Sequence, residues 1–302
     1  MSIEDFMDGF VDTGQKPGLM IVDFSQIVIA TIMATFRPTE TMSVDLIRHV
    51  VINTIRSNVL KHKLQYPEVV IAMDRGPYWR KDIAPYYKGN RKRGKDDSPW
   101  DFQMIYAAMD VIKQELHEIF PYKVIQVKGV EADDIAGVLV HEMGKYYKQI
   151  LLISSDSDWA QLQIRKGITQ YSPIQKKAVL PKHGDPRLHL MEKVIKGDRK
   201  DGIANVKSVS DAVVAEIRQK SVFAKELEEW SVTPPEKWAD DFMLARYHEN
   251  LSLLDLSAQP EEIKAKILAE FDKTPATGAR IYSYLVKNRM KELLGRAQEF
   301  LI

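Results

Sequence analysis

An apolar run of strand length, followed closely by two acidic side chains, is the feature that most constrains this fold. Within residues 149–162 the run Ile-Leu-Leu-Ile ends at Ile153, and Asp156 and Asp158 come shortly after it. Such a run is typical of a strand buried on both faces of a parallel sheet, whose carboxyl end is where open α/β sheets build their sites. If the chain is still extended there, the two aspartates face one crevice. A polar turn with Asp158 as helix N-cap explains the stretch equally well, so the rest of the chain must decide.

Strand and helix patterns alternate through the first 185 residues, which predicts an α/β fold with a mostly parallel central sheet covered by helices. Four buried strands are expected, with an edge hairpin after them, at 19–22, 69–73, 122–127, 149–153, 169–172 and 178–180. Helices should fill the gaps, including 98–119, where Ser98 would be the N-cap, and 131–147. Only helices are predicted beyond, at 187–196, 209–219, 235–250, 260–271 and 278–299. We therefore divide the chain into an N-terminal tail, an α/β core and a helical region, at 1–17, 18–185 and 186–302.

Composition removes several classes of site. The 302 residues include no cysteine, which excludes disulfides, thiolate zinc sites and a cysteine nucleophile. Forty-three basic and 42 acidic residues give a net charge of +1, so the whole chain does not attract a polyanion. No apolar run is long enough to cross a bilayer, and the N-terminus is acidic rather than basic like a signal peptide. We expect a cytoplasmic protein without a membrane partner, acting as a monomer.

Acidic residues recur at five places along the chain, three of them after apolar strands. Acids at a helix start also favour the helix dipole, so a structural explanation exists for part of the set. Nine carboxylates at the ends of successive elements would repel each other unless a cation lay among them, and Mg²⁺ prefers oxygen ligands. A pair of such ions can activate water against a phosphodiester. The candidate metal ligands are Asp23, Asp74, Glu131, Asp133, Asp134, Asp156, Asp158, Asp198 and Asp201.

A basic and aromatic segment follows the second predicted strand, within 75–97. Residues 75–95 hold eight basic side chains, four aromatic ones and a single acid. A charge run is usually a solvated surface, but bases stack on rings while Lys and Arg follow phosphates, so we favour contact with single-stranded nucleic acid. A phosphate-binding P-loop is rejected because Asp96 stands where Ser or Thr must hold the metal. The candidate contacts are Arg80, Lys81, Tyr86, Tyr87, Lys88, Arg91, Lys92 and Arg93.

On the basis of these motifs, the chain resembles the 5′-nuclease family of flap endonucleases and 5′-exonucleases. The matching signatures are Ile-Val-Asp23, Ala-Met-Asp74, Glu-Ala-Asp-Asp134, Asp-Ser-Asp158 and Asp-Arg-Lys-Asp201. Further similarity to the ribonuclease H branch of T-even bacteriophages covers nearly the whole chain after residue 17. The resemblance implies a phage enzyme of the host cytoplasm that removes RNA primers and cuts DNA flaps or forks.

The resemblance also implies a division of roles. Two Mg²⁺ ions, for which Mn²⁺ would substitute, are expected, with Asp133 and Asp156 central to catalysis. Lys88 and Arg91 would stabilise charge on the scissile phosphate, and Tyr87 would stack near the 5′ end. The first ion would belong chiefly to Asp23, Asp74, Asp133 and Asp156. The second, or water-mediated contacts to it, would belong to Glu131, Asp134, Asp158, Asp198 and Asp201.

Binding segments outside the acidic cluster are implied in the same way. A helix–loop–helix at about 190–220 would grip duplex DNA, although Asn205-Val-Lys-Ser208 replaces the family's Gly-x-Gly turn and argues against a bound monovalent ion. Lys207 could still reach a phosphate. Ile3, Phe6 and Met7 would dock on a sliding clamp, and the C-terminal region on a single-strand-binding protein.

Two other functions are compatible with parts of the pattern. A phosphatase with an Asp-x-Asp nucleophile would use Asp156 or Asp158, but leaves the basic segment unexplained. A catalytically silent, structure-specific DNA-binding protein would be expected to lack some metal ligands, and none is missing from this sequence.

Overall fold

A six-stranded sheet forms the centre of the structure, a computed structural model that describes residues 14–91 and 98–301. The strand order is β3-β2-β1-β4-β5-β6, with every neighbouring pair parallel except the antiparallel β5 and β6. The predicted fold class, including the edge hairpin, is confirmed. The strands are β1 Lys16–Asp23, β2 Glu68–Met73, β3 Lys123–Gln126, β4 Tyr147–Ile153, β5 Ile168–Ser172 and β6 Lys177–Val179.

Helices connect the strands and form the second half of the chain. No helix of the described ranges is long and apolar enough to cross a membrane. The α-helices are α1 Phe24–Thr35, α2 Val44–His62, α3 Arg80–Ile83, α4 Phe102–Ile119, α5 Ala132–Val138, α6 Pro186–Lys196, α7 Ala224–Val232, α8 Asp241–Leu254, α9 Glu261–Phe271, α10 Ile281–Lys287 and α11 Lys291–Leu294. Single 3₁₀ turns include Ser157–Leu162, Lys182–Gly184 and Ala297–Phe300.

The central strands are buried on both faces, as their continuous apolar sequence predicts. Met20 and Val22 of β1 face one core, which is covered by α1, α2, α4 and the C-terminal helices. Leu19 and Ile21 face the other, which is covered by α5 and α9. A third cluster joins α6 and α8 to Tyr87. The polar groups of the central strands therefore gather at the ends of these strands.

Three predicted helices differ from the structure for local reasons. The helix after the basic segment begins at Phe102, because the Asp101 side chain, and not Ser98, caps the Met104 N–H at 2.9 Å. The predicted helix at 278–299 is divided into α10, α11 and a 3₁₀ turn, with Arg289 at φ +55° between them. The helix at 131–147 ends as α5 at Val138 and continues only in a π turn and a 3₁₀ turn.

The second helix of the expected helix–loop–helix is also absent from the described structure, since residues 210–216 form turns and 217–219 have no regular structure. Val209 and Ile217 are exposed there, while Ala212 is buried. A helix that the sequence did not predict, α7, forms further along instead.

Candidate active site

Four carboxylates meet at the carboxyl edge of the sheet because three neighbouring parallel strands end in acids. Asp23 ends β1, Asp74 follows β2, and Asp156 lies three residues after β4. Asp133, in the first turn of α5, joins them, since the Ala132 N–H beside it donates to Asp74 Oδ1 at 3.0 Å. We call Asp23, Asp74, Asp133 and Asp156 the inner carboxylates.

Asp23 is held from two sides. Its Oδ1 accepts from the Gln26 N–H at 3.1 Å and so caps α1, while Ser154 Oγ donates to Oδ2 at 2.9 Å. Only 6% of Asp23 is exposed. The same residue therefore ends a strand, starts a helix and places a carboxylate in the site.

Two of the inner carboxylates, Asp23 and Asp133, lie in surroundings that oppose their ionisation. Burial, assisted by the charges of Asp74 and Asp156, raises the pKa of Asp23 to about 7. Burial also raises the pKa of Asp133 well above its ordinary value; Lys88 opposes that rise, and Asp156 adds to it. Buried carboxylates that resist ionisation in this way are stabilised by a bound cation.

Asp156 and Asp158 line the same cleft, as predicted, although the chain turns at Asp156 and does not stay extended. Asp156 is the N-cap of the 3₁₀ turn, and its Oδ1 accepts from the Asp158 N–H at 3.0 Å. The alternative in which Asp158 is the helix N-cap is wrong, because Asp156 is the cap of this turn. Asp158 also contacts α6, where Lys193 forms ion pairs with both Asp158 and Asp198, the latter at 2.6 Å. Burial raises the pKa of Asp158 to about 6, against the opposing charge of Lys193.

Glu131 and Asp201 share a second set of basic partners. Lys88 forms an ion pair with Glu131 and lies 3.6 Å from Asp201, and Arg91 pairs with Asp201. The Tyr87 hydroxyl donates to Glu131 at 3.0 Å and to Asp201 at 3.2 Å. Burial opposes ionisation of Asp201, but Lys88 and Arg91 outweigh it and lower its pKa.

Asp134 is a structural residue in this arrangement. Its side chain is fully buried, pairs with Arg80 at 2.8 Å, and accepts from the Glu131 N–H and from Trp79 Nε1. Arg80 also pairs with Glu131 at 3.0 Å and donates to the Leu253 carbonyl. Direct coordination of an ion by Asp134 would require these bonds to break.

Four of the predicted nucleic-acid contacts bond acids inside the protein, namely Arg80, Tyr86, Tyr87 and Lys88. Arg80 is 1% exposed and Tyr87 2% exposed, so neither presents a surface to a base or phosphate; burial overturns both assignments. The Tyr86 hydroxyl donates to Glu249. Lys81 and Arg91 are exposed. Lys92 and Arg93, like Ile3, Phe6 and Met7, lie outside the described residues.

A cleft of about 260 Å³ opens at the carboxylates and is lined both by acids and by basic side chains. Lys88 reaches the acids from a left-handed backbone conformation, φ +57°, and its N–H donates to the Asp201 carbonyl at 2.7 Å. The exposed basic residues that line the cleft are Arg91, Lys182, Lys196, Arg199 and Lys200. Such a mouth would attract a phosphate backbone.

The loop after α6 is pinned by its own side chains. Asn205 Nδ2 donates to the Lys220 carbonyl at 2.7 Å, and Ser208 Oγ accepts from the Lys220 N–H at 3.0 Å. Lys207 Nζ contacts Glu226 at 2.6 Å and the Ser221 carbonyl at 3.1 Å. Lys207 can reach a phosphate only by leaving these partners.

A divalent ion fits the inner carboxylates better than the remaining acids. Within the described ranges, none of the inner carboxylates pairs with Lys or Arg, whereas the other five acids all do. No three His, Asp or Glu side chains of those ranges are arranged to hold an ion by themselves. Mg²⁺ commonly binds through one or two carboxylates and keeps its waters, so this spacing is compatible with it.

Two residues of the site were missed by sequence reasoning. Lys193 balances Asp158 and Asp198, and Trp159 Nε1 donates to Asp133 Oδ1 at 2.7 Å. Trp159 follows Asp158 directly, but nothing in its position separates it from an ordinary core residue. The chain reverses at Gly197, which brings Asp198 back to Lys193. Gly197 was therefore the sequence signal that could have identified Lys193 as part of the site.

Comparison with known proteins places the chain in a family. Residues 18–187 match the family of 5′-3′ exonuclease N-terminal resolvase-like domains, and residues 184–300 match the T4 RNase H C-terminal family. The ribonuclease H of Enterobacteria phage T4 is 33% identical, over 97% of this chain and 99% of that protein. The flap endonuclease of Escherichia phage T5 is 32% identical over 31% of this chain and 33% of that protein.

Solved structures agree on the fold. A phage T5 flap endonuclease in a pseudo-enzyme–product complex with DNA and metal ions has a TM-score of 0.57 at 19% identity, over 93% of this chain and 99% of that one. A phage T5 protein co-crystallised with metal ions has a TM-score of 0.56 at 18% identity, over 94% and 100%. The predicted family is confirmed: the chain belongs to the 5′-3′ exonuclease family, with the C-terminal region of the phage T4 ribonuclease H type.

Proposed function

We propose that this protein is a metal-dependent 5′-3′ nuclease. It hydrolyses phosphodiesters at the 5′ ends of DNA and RNA–DNA duplexes and at flaps or forks, and it removes RNA primers during phage DNA replication in the host cytoplasm. The observation that carries the proposal is the set of inner carboxylates, which lacks a basic partner in the described structure and lies beside a cleft ringed by basic side chains. The family relationship supports it independently.

The inner carboxylates would hold one Mg²⁺ or Mn²⁺, and Glu131, Asp158, Asp198 and Asp201 would serve a second. Bound there, two ions would supply activation of the attacking water and stabilisation of the leaving oxygen. Trp159 fixes the Asp133 carboxylate, and Ser154 fixes that of Asp23. These bonds hold the ligands in place before metal or substrate arrives.

Lys88 and Arg91 provide positive charge next to the acids of the site. Both pair with Asp201 in the described structure, and Arg91 lines the cleft. A phosphate entering the cleft would compete with Asp201 for these cations. The two side chains would then stabilise negative charge that develops on the scissile phosphate.

Exposed basic residues would bind the backbone of the nucleic acid. Lys81 and Arg91 belong to the predicted basic segment, while Lys182, Arg199 and Lys200 come from the chain around α6. Binding dominated by phosphate contacts tolerates DNA and RNA alike and weakens with salt.

Contacts with replication partners form a separate part of the proposal. The first twelve residues would bind a sliding clamp through Ile3, Phe6 and Met7, and the C-terminal helical region would contact a single-strand-binding protein. The nuclease itself would act as a monomer. Deletion of residues 1–12 should abolish clamp capture in a pull-down and leave flap cleavage in place. Full clamp binding by the deleted protein would refute the assignment.

Asp156→Asn tests the nuclease assignment directly. We expect loss of cleavage of a 5′-labelled flap and of a nicked RNA–DNA hybrid in Mg²⁺, with forked-DNA affinity within about tenfold of wild type, because binding rests mainly on the basic surface. Wild-type protein should not hydrolyse a small phosphomonoester. Retained turnover by Asp156→Asn, or hydrolysis of the monoester without flap cleavage, would contradict the proposal.

A further inference from the structure

Lys193 occupies the space between two carboxylates that the proposed function assigns to a metal ion. It lies near the end of α6, and its Nζ pairs with Asp158 and, at 2.6 Å, with Asp198. The three side chains are only 10–17% exposed, so water screens the contacts little. One ammonium group therefore neutralises two acids from different parts of the chain.

The backbone at Gly197 makes this contact possible. Gly197 ends α6 with φ +70°, a conformation that favours glycine, and a Cβ there would lie 2.4 Å from the Ile203 carbonyl oxygen. The chain reverses at this point and places Asp198 back against Lys193. The Asp198 backbone is fixed in turn, because its N–H donates to the Ile203 carbonyl at 2.9 Å. The ion pair is a built part of the fold.

We propose that Lys193 is an internal counter-ion that competes with the second divalent ion. The inference rests on the proposed metal-dependent function. An ion held by both Asp158 and Asp198 needs the position of the Lys193 ammonium, so Lys193 must leave before the ion can bind. The inner carboxylates have no such competitor among the described residues. The two ions should therefore bind with unequal affinity, the weaker at Asp158 and Asp198.

The competition also couples the weaker ion to substrate. Once released, the Lys193 ammonium remains in a cleft that Arg199 and Lys200 also line, and it needs a new anion. A phosphate of the nucleic acid is the anion that the cleft would receive. Nucleic acid that binds released Lys193 favours the metal-bound arrangement, and by linkage each should tighten the other. Lys193 would then act as a positioning residue for metal and phosphate together.

Lys193→Met tests the competition through metal affinity alone. Mn²⁺ binding without nucleic acid would be followed by electron paramagnetic resonance of the free ion and by calorimetry. We expect one tight and one weak ion in wild type, and a weak ion that binds at least about tenfold tighter in Lys193→Met, which is about 1.4 kcal/mol. Lys196→Met is the matched control, since it removes the same charge from the same cleft and helix, and should change neither affinity by more than about threefold.

Lys193→Arg retains the charge and should keep the weak ion weak, which guards against a misfolded methionine variant. An unchanged weak affinity in folded Lys193→Met would overturn the inference and leave the nuclease assignment intact. Failure of every variant and of wild type to bind Mn²⁺ would overturn the proposed metal dependence itself.

The coupling to substrate has its own measurement. Product duplex, which is not cleaved further during the titration, should tighten the weaker ion in wild type and do so at least about threefold less in Lys193→Met. Equal tightening in both proteins would refute the transfer of Lys193 from carboxylate to phosphate.

Discussion

Asp23→Asn should stabilise the metal-free protein while removing a ligand that the metal-bound protein needs. The neutral amide keeps the Oδ1 acceptor for the Gln26 N–H, and Ser154 Oγ can accept from the new Nδ2 where it now donates to Oδ2. What the substitution removes is a buried negative charge beside Asp74 and Asp156. The variant should therefore keep the fold and no longer carry the electrostatic cost of burying the Asp23 charge.

The size of the effect follows from the raised pKa of Asp23. The difference between an ordinary pKa of 3.8 and a folded-state pKa of about 7 corresponds to about 4 kcal/mol at about 1.4 kcal/mol per pH unit. Part of this gain is lost because the amide offers one acceptor oxygen where the carboxylate offers two. We therefore expect the Asn variant to gain about 2–4 kcal/mol at pH 8, or about 3–6 °C in melting temperature for a chain of this length.

The sign of the pH dependence is fixed by the direction of the shift. The unfolded chain ionises Asp23 above about pH 4, whereas the folded chain resists until about pH 7. The penalty is therefore absent below pH 4, grows between pH 4 and 7, and is fully present above pH 7. The stability advantage of the Asn variant should follow the same course.

Thermal unfolding in EDTA at several pH values, then in saturating Mg²⁺, measures both halves of the prediction. Mg²⁺ should raise the wild-type melting temperature and raise that of the variant much less. Asp240→Asn is the matched control, because Asp240 is an exposed N-cap of α8 that bonds the Met243 N–H at 2.8 Å far from the acids. No stability gain in EDTA, or a gain that does not change with pH, would refute the reasoning.

Three further substitutions test the supports around the site. Arg80→Ala leaves the buried Glu131 and Asp134 without their shared cation and should cost about 3–5 kcal/mol in urea unfolding; a near-neutral result would contradict the structural role. Tyr87→Phe keeps the ring and should cost about 1–2 kcal/mol with unchanged DNA affinity, whereas Tyr87 acting as a stacking residue would show no stability loss. Asn205→Ala frees the Lys220 carbonyl, so limited proteolysis at that loop should accelerate.

The strands and the site edge were predictable because both follow from short-range patterns. Continuous apolar runs identify buried parallel strands, and parallel neighbours carry their terminal acids to one edge, so Asp23, Asp74 and Asp156 had to meet. The segment at 209–219 was not predictable in the same way. Its geometry depends on Asn205 and Ser208 bonding a chain about 12 to 15 residues away, which no helical period encodes.

The roles of individual residues were harder to infer than their membership of the site. Arg80 and Tyr87 belong to a segment whose composition is that of a nucleic-acid surface, yet both are buried against acids. Composition cannot distinguish a cation that faces phosphate from one that faces Glu131. The distinction depends on α3 packing toward α8, where Arg80 bonds the Leu253 carbonyl, and that is a property of the assembled fold.

The nine acids divide by their counter-charges, and the division has a consequence for catalysis. Arg80, Lys88, Arg91 and Lys193 pair with five of them inside the fold, while the inner carboxylates have no Lys or Arg partner among the described residues. An external ion gains most where no internal cation must be displaced, so the inner carboxylates should fill first. The remaining acids would release Lys88, Arg91 and Lys193 only when phosphate can take those cations. The charges of such a site would balance only when metal and nucleic acid are both bound. This favours hydrolysis of a strand that is bound in the cleft over hydrolysis of a phosphate that is not.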